Sequence, residues 1–209
     1  MYDAGLDGTT SVLGEIGSKF CGVSLFLANF ARFVIALEPD TIRWRLSQAH
    51  LGNDDHINNV ILLNVDGTSL ASFAPCTHVF SFNVMMPPAI VRQLLEAMAN
   101  TLTLKSAILF TPPTSFNLPN WSLVKTYQKL RVKGGKELLT AYLYKKDGVV
   151  LHRVPERVPS ATALAEVAEP AFQAGFQAVA DGTLKDSIKV GLQEFLGAPR
   201  KRRRSTSIA

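Results

Sequence analysis

From Ser11 to Asp40 the chain alternates short apolar runs with one glycine-bearing turn and one helical period. Val12 and Leu13 read as the end of an apolar strand, Gly14-Glu15-Ile16-Gly17-Ser18 as a turn, Val23 to Phe30 as the buried face of a helix, and Phe33 to Leu37 as a second strand with Glu38 at its carboxyl edge. Thr41 to Leu51 places Ile42, Leu46 and Ala49 at helical spacing, and Asn58 to Leu63 is a short apolar strand closed by the Asn64-Val65-Asp66-Gly67 turn. Thr77 to Phe82 is a fourth strand, Ala89 to Asn100 a helix with Ile90, Leu94, Leu95 and Met98 on one face, and Lys105 to Phe110 a fifth strand stopped by Pro112 and Pro113. Strands alternating with helices predict an α/β fold with a parallel sheet.

The period then changes. Trp121 to Leu130 and Glu137 to Tyr144 are alternating, extended segments joined by Arg131 to Lys136, which contains Gly134-Gly135, so a β-hairpin is expected. Beyond Asp147 comes the proline-broken VPERVPS, then an alanine-rich stretch from Ala161 to Leu196 with Leu164, Val167, Phe172, Phe176 and Val179, then Leu184, Ile188, Leu192 and Phe195, at helical spacing. Two or three helices are expected there, interrupted near Pro170 and Asp181-Gly182; packing on the body is the preferred reading, beside binding a partner or staying mobile. The expected organisation is an α/β domain over 1–150, a helical extension over 151–198 and a disordered basic tail over 199–209.

The strand, turn, helix and strand order of the first segment is the front half of a nucleotide-cofactor site. Ligands of an open parallel sheet sit outside the carboxyl ends of its strands, a turn glycine admits close approach, and an acid about 20 residues on accepts ribose hydroxyls. Glu38 stands at that distance from Gly17. A dinucleotide fingerprint wants GxGxxG, whereas Lys19 and Cys21 stand here where further glycines are usual. An acid, any residue and then glycine, as in Glu15-Ile16-Gly17, is instead the pattern of S-adenosylmethionine (SAM) methyltransferases. Five parallel strands followed by an antiparallel hairpin is the layout of the seven-stranded class I SAM-methyltransferase sheet, a Rossmann-like fold flanked by helices. Asp66, at the edge of the third strand, is equally a turn aspartate or an acid facing an adenine amino group.

At 209 residues and 47% hydrophobic composition, the chain buries one sizeable core without a metal or disulfide. Cys21 and Cys76 form no CxxC pair, which fits a reducing compartment. The longest apolar run, Cys21 to Leu37, is too short for a membrane span and carries Asn29 and Arg32, and the first residues lack a signal-peptide pattern. Neither membrane association nor a metal is expected: His50, Asp54, Asp55 and His56 form the only metal-like cluster and read as a solvated loop. The net charge of +5 equals the five residues Arg200, Lys201, Arg202, Arg203 and Arg204, so the body is neutral. That tail suits nuclear import or contact with DNA, another nucleic acid or an acidic protein surface, and a solubilising end is the alternative.

Between Val12 and Tyr144 the motif order resembles the disruptor-of-telomeric-silencing family of histone-lysine methyltransferases. VLGEIGS looks like that family's first cofactor motif with Glu15 in place of its aspartate, and VIALEPD like its second strand ending in the ribose-binding glutamate. HVFSFNVMMPPAIVRQLLEAM is similar to its strand-four motif, with Asn83 at the asparagine position and Pro88 at the proline. The WSLVKTYQKL and ELLTAYLYKK segments follow its final strands, without the tryptophan of its hairpin turn. Family members also carry an N-terminal helical region over the cofactor, so this chain reads as an N-terminally shortened or divergent copy.

The resemblance implies a nuclear, monomeric enzyme that methylates a lysine of nucleosomal histone by in-line displacement from SAM. Asn83 would be catalytic, with Glu15, Gly17, Ser18, Glu38, Asp66 and Phe82 holding the cofactor. Phe82, Met85, Met86, Phe110 and Tyr142 would line an apolar substrate channel, which helps a lysine lose its proton. Two other readings stand beside this one: a catalytically weak SAM-fold module binding chromatin or a partner protein, and a methyltransferase for RNA or a small molecule.

Overall fold

The computed structural model describes residues 2–52, 57–112, 118–131, 137–149 and 158–197. Seven strands form one sheet: β1 (Val12–Ile16), β2 (Phe33–Leu37), β3 (Val60–Leu63), β4 (His78–Ser81), β5 (Ser106–Leu109), β6 (Trp121–Arg131) and β7 (Leu138–Lys146). Their order is β3-β2-β1-β4-β5-β7-β6, with β1 to β5 parallel and β7 antiparallel to both β5 and β6. The order reverses beside β1, where the connections leave β1 and β4 in opposite directions and open a crevice at their carboxyl ends.

The central strands read as continuous apolar runs because both faces of the sheet are covered. On one face Val12, Phe33, Ile35, Leu37, Ile61, Val79 and Leu109 pack with Val91, Leu94, Leu95 and Met98 of α3 (Pro88–Asn100). The same cluster holds Leu164 of α4 (Ala161–Val167) and Phe172 and Phe176 of α5 (Pro170–Ala180). On the other face Leu13, Val34, Ala36, Val60 and Leu62 pack with Leu27 of α1 (Gly22–Leu27), Leu51 of α2 (Thr41–Gly52) and Ile188 of α6 (Leu184–Gly197).

The connection from β3 to β4 carries no α-helix, only a 3-10 turn at Gly67–Ser69. A parallel crossover usually supplies a helix to cover the sheet. Here α5, from the far end of the chain, packs against β3. Gly175 lies so close to Ile61 that an added Cβ would stand 2.3 Å from its Cγ2, and Phe176 meets Phe33 edge-on at 5.7 Å. The Glu169 N–H donates to the Ala74 carbonyl (2.7 Å), and Ser72 Oγ donates to the Glu169 carboxylate (2.9 Å), tying α5 to the crossover loop.

Three sequence expectations need correction. Gly14, Glu15 and Ile16 belong to β1, and the turn begins only at Gly17. The helix expected over Val23 to Phe30 is six residues long and buries Ser24 and Leu27, leaving Val23, Phe26 and Phe30 exposed. α2 buries Ser47, Gln48 and Leu51 and exposes Ile42 and Leu46, because it docks partly through a polar contact: Ser47 Oγ donates to the Lys19 carbonyl (2.9 Å). The Arg131-to-Lys136 turn lies mostly outside the described residues, as does most of the proline-broken segment.

Candidate cofactor and acceptor site

β1 ends at Ile16, and the chain turns at Gly17 with a left-handed φ of 78° that favours glycine. The N–H groups of Gly17 and Ser18 both donate to the Leu37 carbonyl at 2.9 Å, clamping the turn to the end of β2. Lys19 and Cys21 are left-handed too, with φ of 51° and 62°. The backbone therefore keeps the path of a glycine-rich turn while carrying side chains on it, at roughly 1 to 2 kcal/mol per position.

Glu38, one residue past β2, is 2% exposed. Its Oε2 accepts from the Lys19 N–H (2.7 Å) and its Oε1 from the Asp40 N–H (3.0 Å), so it sits behind the turn and binds it to the start of α2. Each oxygen retains a further lone pair for a ligand hydroxyl. The Lys19 side chain crosses toward β4, with its Nζ 5.6 Å from the centre of the Phe82 ring. Phe82 in turn packs on Phe110, ring centres 4.8 Å apart.

Asn83 is buried in the loop after β4, where its Oδ1 accepts from the Phe110 N–H (2.8 Å) and its Nδ2 has no hydrogen-bond partner. Beside it lies a cleft of about 480 Å³ lined by Asn83, Val84, Met86, Pro88, Val91, Arg92, Phe110, Thr111 and Pro112. Sequence reasoning misses Arg92, which looks like an ordinary exposed residue of an amphipathic helix.

Gly17, Ser18, Glu38, Phe82, Asn83, Met86 and Phe110 thus come together at the carboxyl ends of β1, β2, β4 and β5. Other expected site residues lie elsewhere. Glu15 points under α1, where Ser24 Oγ donates to its carboxylate, and burial pushes its pKa up to about 7. Strand alternation explains the displacement: Glu15 shares a face with Leu13 in β1, away from the ligand edge. Asp66 is exposed and caps the 3-10 turn, accepting from the Thr68 N–H (2.9 Å) and hydroxyl (2.7 Å). Tyr142 packs against the hydrophobic core and is not among the cleft-lining residues. Met85 is 88% exposed. Asp54, Asp55, His56 and the tail Arg200 to Arg204 lie outside the described residues, and no group of metal-binding side chains occurs among the described ones.

No protein-family model and no curated protein sequence matches the chain. Solved structures do. The putative tRNA (m1A22) methyltransferase of Streptococcus pneumoniae superposes with a TM-score of 0.53 at 10% identity, covering 88% of this chain and 90% of that one. An RNA methyltransferase from Salinibacter ruber, solved with S-adenosylhomocysteine (SAH), gives 0.52 at 16% identity, covering 76% and 92%. Magnesium protoporphyrin IX methyltransferase from Synechocystis, solved with SAM, gives 0.52 at 12% identity, covering 67% and 72%. The chain has the class I SAM-methyltransferase fold. SAM is the cofactor of this fold, as the SAM- and SAH-bound structures illustrate.

The residues of this methyltransferase fold suit such a cofactor. Ser18 Oγ and Ser81 Oγ are both buried without a hydrogen-bond partner, at the carboxyl ends of β1 and β4. An orphaned buried polar group costs about 1 to 3 kcal/mol, so a cluster at one sheet edge fits a polar ligand that meets them. Glu38 offers the carboxylate for ribose hydroxyls, and Gly17 admits close approach, since a Cβ there would meet only Met86 Cε at 3.8 Å. Lys19 is the departure from the usual turn.

Proposed function

We propose that the chain is a SAM-dependent methyltransferase whose acceptor is a nitrogen of an RNA base, entering the cleft beside Asn83. The observation that carries this reading is the Asn83 amide. Its carbonyl is occupied by Phe110, and its buried Nδ2 offers hydrogens that need an acceptor. A base supplies a ring nitrogen or carbonyl there, whereas a lysine amine about to be methylated has its one lone pair committed to the methyl group. Phe110 and Phe82 provide aromatic faces of the kind that stack unpaired bases, and Arg92 suits a backbone phosphate. Several similar structures are RNA methyltransferases by name, which supports the same acceptor class.

In this reading Glu38 accepts the ribose hydroxyls, Gly17 and Ser18 line the turn side, and Asn83 holds the acceptor in line. SAM supplies an electrophilic methyl on a sulfonium, so the protein has to orient and exclude water rather than activate a nucleophile covalently. Among the described cleft-lining residues Arg92 alone is titratable.

The histone-lysine reading rests on the strand-four and hairpin motifs and on the apolar Met86 and Phe110, with the nucleosome as partner and the nucleus as compartment. Transfer of labelled methyl from SAM to RNA, nucleosomes, free histones and a metabolite mixture separates the readings. RNA is the expected acceptor. Asn83→Ala is expected to leave SAM affinity nearly intact and to lower turnover ~10²-fold, equivalent to about 2.7 kcal/mol of transition-state stabilisation. Methylation confined to nucleosomes would overturn the RNA assignment, and SAM binding without transfer to any acceptor would point to an inactive binding module.

A further inference from the structure

The cofactor turn carries a cation that its conformation does not call for. Lys19 holds a left-handed backbone, its N–H is tied to Glu38, and its ammonium lies over the Phe82 ring at 5.6 Å. The same ring also packs on Phe110, which lines the acceptor cleft. Phe82 therefore links the turn that would hold the donor to the cleft that would hold the acceptor. An aromatic face at that boundary is a natural partner for a sulfonium cation. Here Lys19 already uses it.

We propose that Lys19 is a specificity-determining residue that makes the site discriminate by charge, favouring the neutral thioether SAH over the cationic SAM. The inference rests on the SAM-site reading above. SAM and SAH share the adenosine and amino-acid parts, so their contacts with Glu38, Gly17 and Ser18 are common to both, and only the sulfur charge differs. Lys19 is exposed, so solvent partly screens its charge, and like charges under such screening change relative affinity on the order of tenfold.

Calorimetry of SAM and SAH binding to the full chain tests this, comparing wild type with Lys19→Met, which keeps the bulk and removes the charge, and Lys19→Gly, which also relieves the left-handed backbone. The expected result is a SAH-to-SAM affinity ratio that falls by roughly tenfold in both variants and that shrinks in wild type as salt rises. A gain of SAM binding in Lys19→Gly from an undetectable wild-type level also supports the proposal. Clear binding of both ligands with the same ratio in all three proteins would overturn it while leaving the SAM site standing. Binding of neither ligand to any of the folded proteins would overturn both.

Discussion

Glu15 in β1 and His78 in β4 lie in paired strands and titrate in opposite senses. Burial, with a smaller push from Glu38, raises the Glu15 pKa from 4.5 to about 7, against the Ser24 hydrogen bonds. Between those pH values the folded chain holds a proton that the unfolded chain has lost, so stability falls as pH rises. Burial, followed by the Lys105 charge, lowers His78 from 6.5 to about 3. Between those values the unfolded chain holds the extra proton, so stability rises with pH. The two slopes oppose each other from about pH 4.5 to 6.5. Glu15→Gln is expected to unmask the His78 slope there and to remove the decline toward pH 7, a difference of a few kcal/mol near neutrality, roughly 1.4 kcal/mol for each unit of the Glu15 shift. Denaturant unfolding at a series of pH values measures it. At this scale Glu38 and Asn83 were legible in the sequence, because strand ends follow from apolar runs. Glu15 was misplaced by treating Gly14 as part of the turn: strand continuation through a glycine leaves no local signal.

Among the elements, all seven strands and a C-terminal group of two or three helices were legible, since each has a clear period or a proline or glycine boundary, and the structure makes the helices three. What sequence periodicity could not supply was the orientation of α1 and α2. Ile42 and Leu46 have the spacing of a buried face, but the hydrogen bond from Ser47 to the cofactor turn draws the polar side inward. The packing of α5 on β3 is set by Gly175, where there is no room for a side chain beside Ile61. Gly175→Ala is expected to destabilise the protein by about 1 to 3 kcal/mol as the helix is pushed off the strand. Combining it with Ile61→Val relieves part of the overlap, and thermal unfolding of the double variant should recover some of that stability.

For the molecule as a whole, the alternation of strands and helices followed by a hairpin revealed the layout of five parallel strands and an antiparallel pair, whereas the substitution of α5 for a crossover helix was invisible: nothing local in the β3-to-β4 loop says which distant segment covers it. The five cations of Arg200 to Arg204 account for the whole net charge, and their pairing with nucleic-acid phosphates is a proposal that salt dependence tests. Deleting them is expected to lower the slope of log affinity against log salt by up to ~4 units, about 0.9 for each phosphate that is no longer neutralised; fluorescence titration with RNA or nucleosomes reads the slope.

The late position of α5 bears on how the protein is made. Phe33 and Ile61 are translated long before Phe172 and Phe176, the residues that cover them. A nascent chain that already contains every strand still shows an uncovered apolar face, and it keeps that face until α5 has cleared the ribosome. Folding of the inner layer is thereby deferred until α5 has been made, and incomplete chains of this kind are substrates for chaperones and prone to aggregation. A messenger that stops ahead of Ser160 is expected to yield an insoluble product even though it encodes the whole cofactor turn, Asn83 and the hairpin.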